Sequence, residues 1–141
     1  MEKLRLVIIL TLCFQTILIR AKLPDWVPPD IIELVAEDKK RCMDEHKVDQ
    51  ATIDKADNGD IPNEQNIKCY MHCMMESFSV IDENGEIEEE TFVGFLPEQF
   101  QTKARQSLSA CANKGGADPC DKLYNTMMCF IPLAPELWYV L

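Results

Sequence analysis

Residues 63–80 read NEQNIKCYMHCMMESFSV, and the fold turns on how they are arranged. Ile67, Tyr70, Met71, Met74, Met75 and Phe78 recur at steps of three and four, the spacing of one broad helical face. Cys69 and Cys73 lie four apart on the same predicted helix and therefore share a side of it. Their Cβ atoms would sit about 5–6 Å apart, whereas a disulfide needs roughly 3.5–4.5 Å. The two sulfurs cannot pair with each other. Each has to reach another segment, so a central helix is stapled to two neighbours, while most pairings of the remaining cysteines stay open.

Working outward from this helix, the segments on both sides also read as helical. Residues 28–46 (PPDIIELVAEDKKRCMDEH) open on prolines, which a first helical turn tolerates. Asp30 and Glu33 near the start and Lys39, Lys40 and Arg41 later suit the helix dipole. Asp49 caps a short helix over 49–56, which DNGDIP then stops. On the other side, DENG (82–85) is a turn and residues 88–96 form a short helix with an acidic first turn. Pro97 opens a helix to about residue 113 with Phe100, Ala104, Leu108 and Cys111 on one face, and Lys114-Gly115-Gly116 ends it. Asp118-Pro119 caps a last helix to about Phe130, and Pro132 and Pro135 are expected to end the helical pattern. No segment alternates in the manner of a strand. The fold class is all-α, with about six helices.

The N-terminus is of a different kind. Lys3 and Arg5 precede the apolar run VIILTLCFQTILI (7–19), and Ala21 is a small residue at a cleavage point. This is the pattern of a secretory signal over 1–21. As a helix the run would rise only about 20 Å, short of a roughly 30 Å hydrocarbon core, which argues against a membrane anchor. The remaining residues, 22–141, read as one domain with 11 basic and 23 acidic residues, a net charge of -12. Clustered positive charge is lacking, so no nucleic-acid partner is expected, and no other stretch is apolar enough for stable membrane insertion.

Cleavage also removes Cys13 and leaves Cys42, Cys69, Cys73, Cys111, Cys120 and Cys129. An even count in an exported chain implies three disulfides. Cys69, His72 and Cys73 are near neighbours and could suggest zinc, but a structural site wants four ligands, and export favours oxidised pairs. No metal and no other cofactor is expected. Residues 54–65 (DKADNGDIPNEQ) match a calcium loop only loosely, because Ala56 and Gln65 stand where ligands are required. No Gly-x-Ser-x-Gly motif is present, and the chain is expected not to be an enzyme.

The spacing Cys-x26-Cys-x3-Cys-x37-Cys-x8-Cys-x8-Cys resembles that of the insect odorant-binding proteins of the six-cysteine, pheromone- and general-odorant-binding type. The resemblance implies a pairing of first to third, second to fifth and fourth to sixth cysteine: Cys42–Cys73, Cys69–Cys120 and Cys111–Cys129. It implies helices enclosing a hydrophobic cavity. It further implies a secreted carrier that takes odorants or pheromones through aqueous fluid to chemosensory receptors, in sensillum lymph if the role is olfactory. The expected state is a monomer or weak homodimer. A carrier in a non-olfactory fluid is the alternative within the family, and a secreted helical protein acting on a receptor without a small ligand is the alternative outside it.

Phe130 follows the sixth cysteine, where pheromone-binding relatives place a ligand-contacting phenylalanine. Met74, Phe78, Phe95, Leu108 and Met127 are further candidates from the apolar faces alone. Met is suited to irregular ligand shapes, though an ordinary core would use the same residues. The tail LAPELWYVL is too apolar to float free. In relatives with tails of this length the tail forms a cavity wall or lid. On that reading residues 132–141 cover the cavity, Trp138 and Leu141 touch the ligand, and Tyr139 offers a hydroxyl. Acidic groups, His46 and His72 make a pH-linked release a further expectation.

Overall fold

A computed structural model describes residues 24–112 and 114–140; the expected leader over 1–21 and Leu141 lie outside them. The described residues hold six α-helices: α1 (Ile31–His46), α2 (Gln50–Asp57), α3 (Gln65–Ser77), α4 (Glu89–Gly94), α5 (Glu98–Ala110) and α6 (Pro119–Leu133). A 3-10 turn, Pro135–Leu137, begins the tail. Among the described residues no helix is long and apolar enough to cross a membrane.

The helix ends follow local chemistry. The Asp49 carboxylate accepts the N–H of Thr52 at 2.8 Å, and the Asp118 carboxylate accepts that of Asp121 at 2.9 Å. Each satisfies an amide with no partner inside its helix, and the Thr52 side chain together with that amide holds the Asp49 carboxyl below its ordinary range. Helix α1 closes on Lys47 in the left-handed conformation, and Lys47 and Val48 return their N–H groups to the Met43 carbonyl.

The turn after α3 is built on Asp82, whose side chain accepts the amides of Asn84 and Glu86. Gly85 takes φ +74°, and a Cβ there would collide with the carbonyl of Pro119. Both facts require glycine at that position. The turn carries an isolated antiparallel bridge, Ile81 to Ile87, the one departure from helix and coil among the described residues.

Helix α3 sits at the centre and packs on α1 and α6. Its buried face carries Ile67, Tyr70, Met71, Cys73 and Met74. Two disulfides leave it in different directions: Cys42–Cys73 ties it to α1, and Cys69–Cys120 ties it to α6. The third, Cys111–Cys129, ties the end of α5 to α6. This is the pairing implied by the resemblance. It also leaves the sulfurs of Cys69 and Cys73 bonded, not available as thiolate ligands. Lys68 adds a polar link: its Nζ lies 2.6 Å from Asp121 Oδ1 and 4.7 Å from the centre of the Tyr124 ring. Tyr70, Phe130, Ile53, Ile67 and Leu123 are the largest side chains fully removed from water.

Most helix ends fall a few residues from the sequence reading, and two of these differences involve prolines. The first helix begins at Ile31, and Pro28 instead lends its carbonyl to the Ile31 amide. The last helix runs through Pro132 to Leu133. A proline in a helix deprives the carbonyl four residues back of its partner. Here that carbonyl belongs to Met128, a solvent-exposed residue, so water can serve it, and the ladder resumes with Ala134 N–H donating to Phe130.

An apolar pocket walled by the C-terminal tail

The apolar faces of these helices do not all meet one another. They leave a pocket of about 240 Å³. Helix α3 gives it Met71, Met74 and Met75, with Phe78 just beyond its end. Phe92, Phe95 and Leu96 come from α4 and its exit, and Met127 and Phe130 from α6. Trp26, Val27, Pro28 and Ile31 close the N-terminal side, and Leu137, Trp138, Tyr139 and Val140 form a wall from the tail. Among the described residues, not one charged side chain lines it. The pocket reaches the surface, since Phe95 is 61% exposed and Pro28 is exposed as well.

The aromatic walls are fixed by edge-to-face contacts. Phe92 meets Phe130 with ring centres 5.9 Å apart at 88°, and Phe78 meets Phe95 at 6.5 Å and 72°. Such pairs contribute about 0.5–1.5 kcal/mol beyond area burial. Phe130 is 1% exposed.

Four polar contacts hold the tail wall in place. Trp26 Nε1 donates to the Glu136 carbonyl at 3.1 Å, and Lys103 pairs with the Glu136 carboxylate. Trp138 Nε1 donates to the Ala56 carbonyl at 2.8 Å. The Val140 amide donates to Asp57 Oδ1 at 2.9 Å. Burial pushes the Asp57 carboxyl above its ordinary range, against the bond from Val140, which pulls it down. Burial, aided by the charge of Asp57, pushes the Tyr139 phenol up to about 12, so that hydroxyl keeps its proton at neutral pH. Lys103 holds the Glu136 carboxyl low.

Of the residues singled out from the sequence, Met74, Phe78, Phe95, Met127, Phe130, Trp138 and Tyr139 line this pocket. Leu108 does not. It is buried at 7% exposure within the core, because helical spacing marks a buried face without saying whether that face meets a neighbour or a hollow. Leu141 lies outside the described residues. The N-terminal wall of Trp26, Val27 and Pro28 was not foreseen. Its signal in the sequence is a tryptophan in a short apolar stretch just after the expected cleavage point, too short for any periodicity.

A helical shell stapled by three disulfides around an uncharged pocket belongs to the class of small binding proteins. Comparison with known proteins makes this specific. Residues 25–132 match the model of the PBP/GOBP family. General odorant-binding protein 69a of Drosophila melanogaster is 31% identical over 106 residues, 74% of this chain and 72% of that one. A medfly odorant-binding protein, CcapOBP22/CcapOBP69a, has a similar structure, with a TM-score of 0.61 at 25% identity over 72% of this chain and 88% of that one. The fatty acid binding protein OBP56a from the oral disk of the blowfly Phormia regina matches at TM-score 0.64 and 26% identity, over 79% of this chain and 97% of its own. The chain belongs to the PBP/GOBP family of insect odorant-binding proteins, which carry small ligands and are not enzymes.

Proposed function

We propose that the protein is exported, loses residues 1–21, and carries small hydrophobic molecules in this pocket through aqueous fluid to chemosensory receptors. The observation that carries the reading is the lining itself: four methionines and seven aromatic side chains around 240 Å³ with no charge among them. Each CH₂ moved from water into such a site contributes about 0.8 kcal/mol. An eight-carbon ligand gains about 6 kcal/mol gross, and micromolar affinity needs about 8 kcal/mol net. Packing against polarisable sulfur and ring faces can supply the difference. The similar blowfly protein, a fatty acid binding protein, supports a carrier role in this fold. Sites of this kind hold a passenger and release it unchanged, so no catalytic group is needed.

The test is titration of the purified, oxidised protein with a fluorescent apolar probe, alongside native mass spectrometry with extraction of co-purified lipids. Saturable one-to-one binding near micromolar is expected. No saturable binding, and no passenger in the extract, would sink the carrier reading.

A further inference from the structure

The pocket's polar chemistry is unusually sparse, and that limits which passengers it can hold. Two of its lining residues carry indole N–H donors, and both donors are engaged elsewhere: Trp26 with the Glu136 carbonyl and Trp138 with the Ala56 carbonyl. The Tyr139 hydroxyl makes no hydrogen bond among the described residues. It is the side-chain donor left for a ligand. A charge acting on the Tyr139 phenol is of the wrong sign to welcome an anion: it belongs to Asp57, which holds the amide of Val140, the next residue. Lys39, the cation on that side, faces Asp54 and Asp57.

Size adds a second limit. A dry cavity of about 150 Å³ holds benzene, with six heavy atoms. In proportion, 240 Å³ suits about ten.

We propose that the pocket selects uncharged ligands of about ten non-hydrogen atoms with one oxygen function hydrogen-bonded to Tyr139, and rejects ionised carboxylates of the same length. The inference rests on the carrier reading and narrows it. An ionised carboxylate entering the pocket would shed its water with no cation to meet it. It would have to bind in its protonated form. With a carboxyl pKa of about 4.3, roughly one molecule in 500 is neutral at pH 7, and apparent affinity falls by that fraction.

The experiment is calorimetric titration of the oxidised protein with decan-1-ol and with decanoate, at pH 7 and pH 5.5. Decanol is expected to bind on the order of a hundredfold more tightly at pH 7. The ratio of the two affinities should narrow about thirtyfold at pH 5.5, as the acid gains its proton. Taking the ratio cancels any effect of pH on the protein. Comparable binding of both at pH 7, or a ratio that does not move with pH, overturns the inference and leaves the carrier reading standing. Failure of both compounds, together with failure of the apolar probe, removes the carrier reading itself. Tyr139→Phe should cost decanol about three- to tenfold more than it costs the apolar probe. An equal loss for both would mean that Tyr139 shapes the wall and does not bond the oxygen.

Discussion

At the scale of single residues, the most informative side chain is Asp57, which no apolar pattern could have marked. It binds the backbone of Val140 while being partly buried, and burial wins: its carboxyl is held above its ordinary 3.8. The folded protein therefore takes up this proton before the unfolded chain does. Stability from this group falls as pH rises through the raised value, and is regained as pH drops toward 3.8. Asp57→Asn keeps an oxygen for Val140 and removes the buried charge. It should melt no lower than wild type at pH 7, and wild type should gain on it as pH falls toward about 4. Thermal melts at the two pH values check this. A wild type clearly more stable at pH 7 would mean that the charged bond to Val140, with attraction to Lys39, outweighs burial. Asp57→Ala lacks the acceptor and should loosen the tail, lowering probe affinity a few-fold. Residues such as Met74 and Met127 were legible because helical spacing exposes a buried face. Asp57 was not, because its role depends on a contact 83 positions away along the chain.

At the scale of elements, the disulfides set which helices stay together. In the loop-entropy view a bridge stabilises by restricting the unfolded chain, more so for longer loops. The loops here span 51, 31 and 18 residues for Cys69–Cys120, Cys42–Cys73 and Cys111–Cys129. The corresponding contributions are about 4.1, 3.7 and 3.2 kcal/mol as upper figures. Replacing both cysteines of a bridge with alanine should lower the free energy of unfolding in that order, read from chemical denaturation. The reverse order would show that local packing around each sulfur matters more than loop length. Most of this level could be read from the chain. The four-residue step of Cys69 and Cys73 forbade their pairing, and the caps at Asp49 and Asp118 announced two helix starts that the structure keeps. Pro132 misled because a proline stops a helix only where the freed carbonyl has nowhere to turn. Here that carbonyl belongs to the solvent-exposed Met128.

At the scale of the whole molecule, the question is why a domain this small keeps a hollow. Empty volume costs packing, about 24 cal/mol per Å³ where it has been measured by mutation. Net domain stability is only about 5–15 kcal/mol. A hole cut into a finished core would be intolerable on those figures. This pocket is instead open to the surface beside Phe95, and its last wall is a separate piece of chain laid over it. The sequence showed an apolar tail but could not show the hollow, since the same methionines and phenylalanines would fill an ordinary core. The tail's own contacts reveal that it was built as a wall: the Glu136 carbonyl and carboxylate, the Trp138 indole and the Val140 amide meet partners on three other segments, at Trp26, at Lys103 and at the end of α2. Removing residues 135–141 strips four lining residues and should weaken binding of an apolar probe by at least about fivefold, equivalent to ~1 kcal/mol. The milder Trp138→Phe keeps a smaller ring against the pocket and deletes the bond to the Ala56 carbonyl. It should fall between wild type and the deletion, with faster probe release. If both variants bind as wild type does, the tail packs beside the passenger without enclosing it, and the walls that matter are those of α3, α4 and α6.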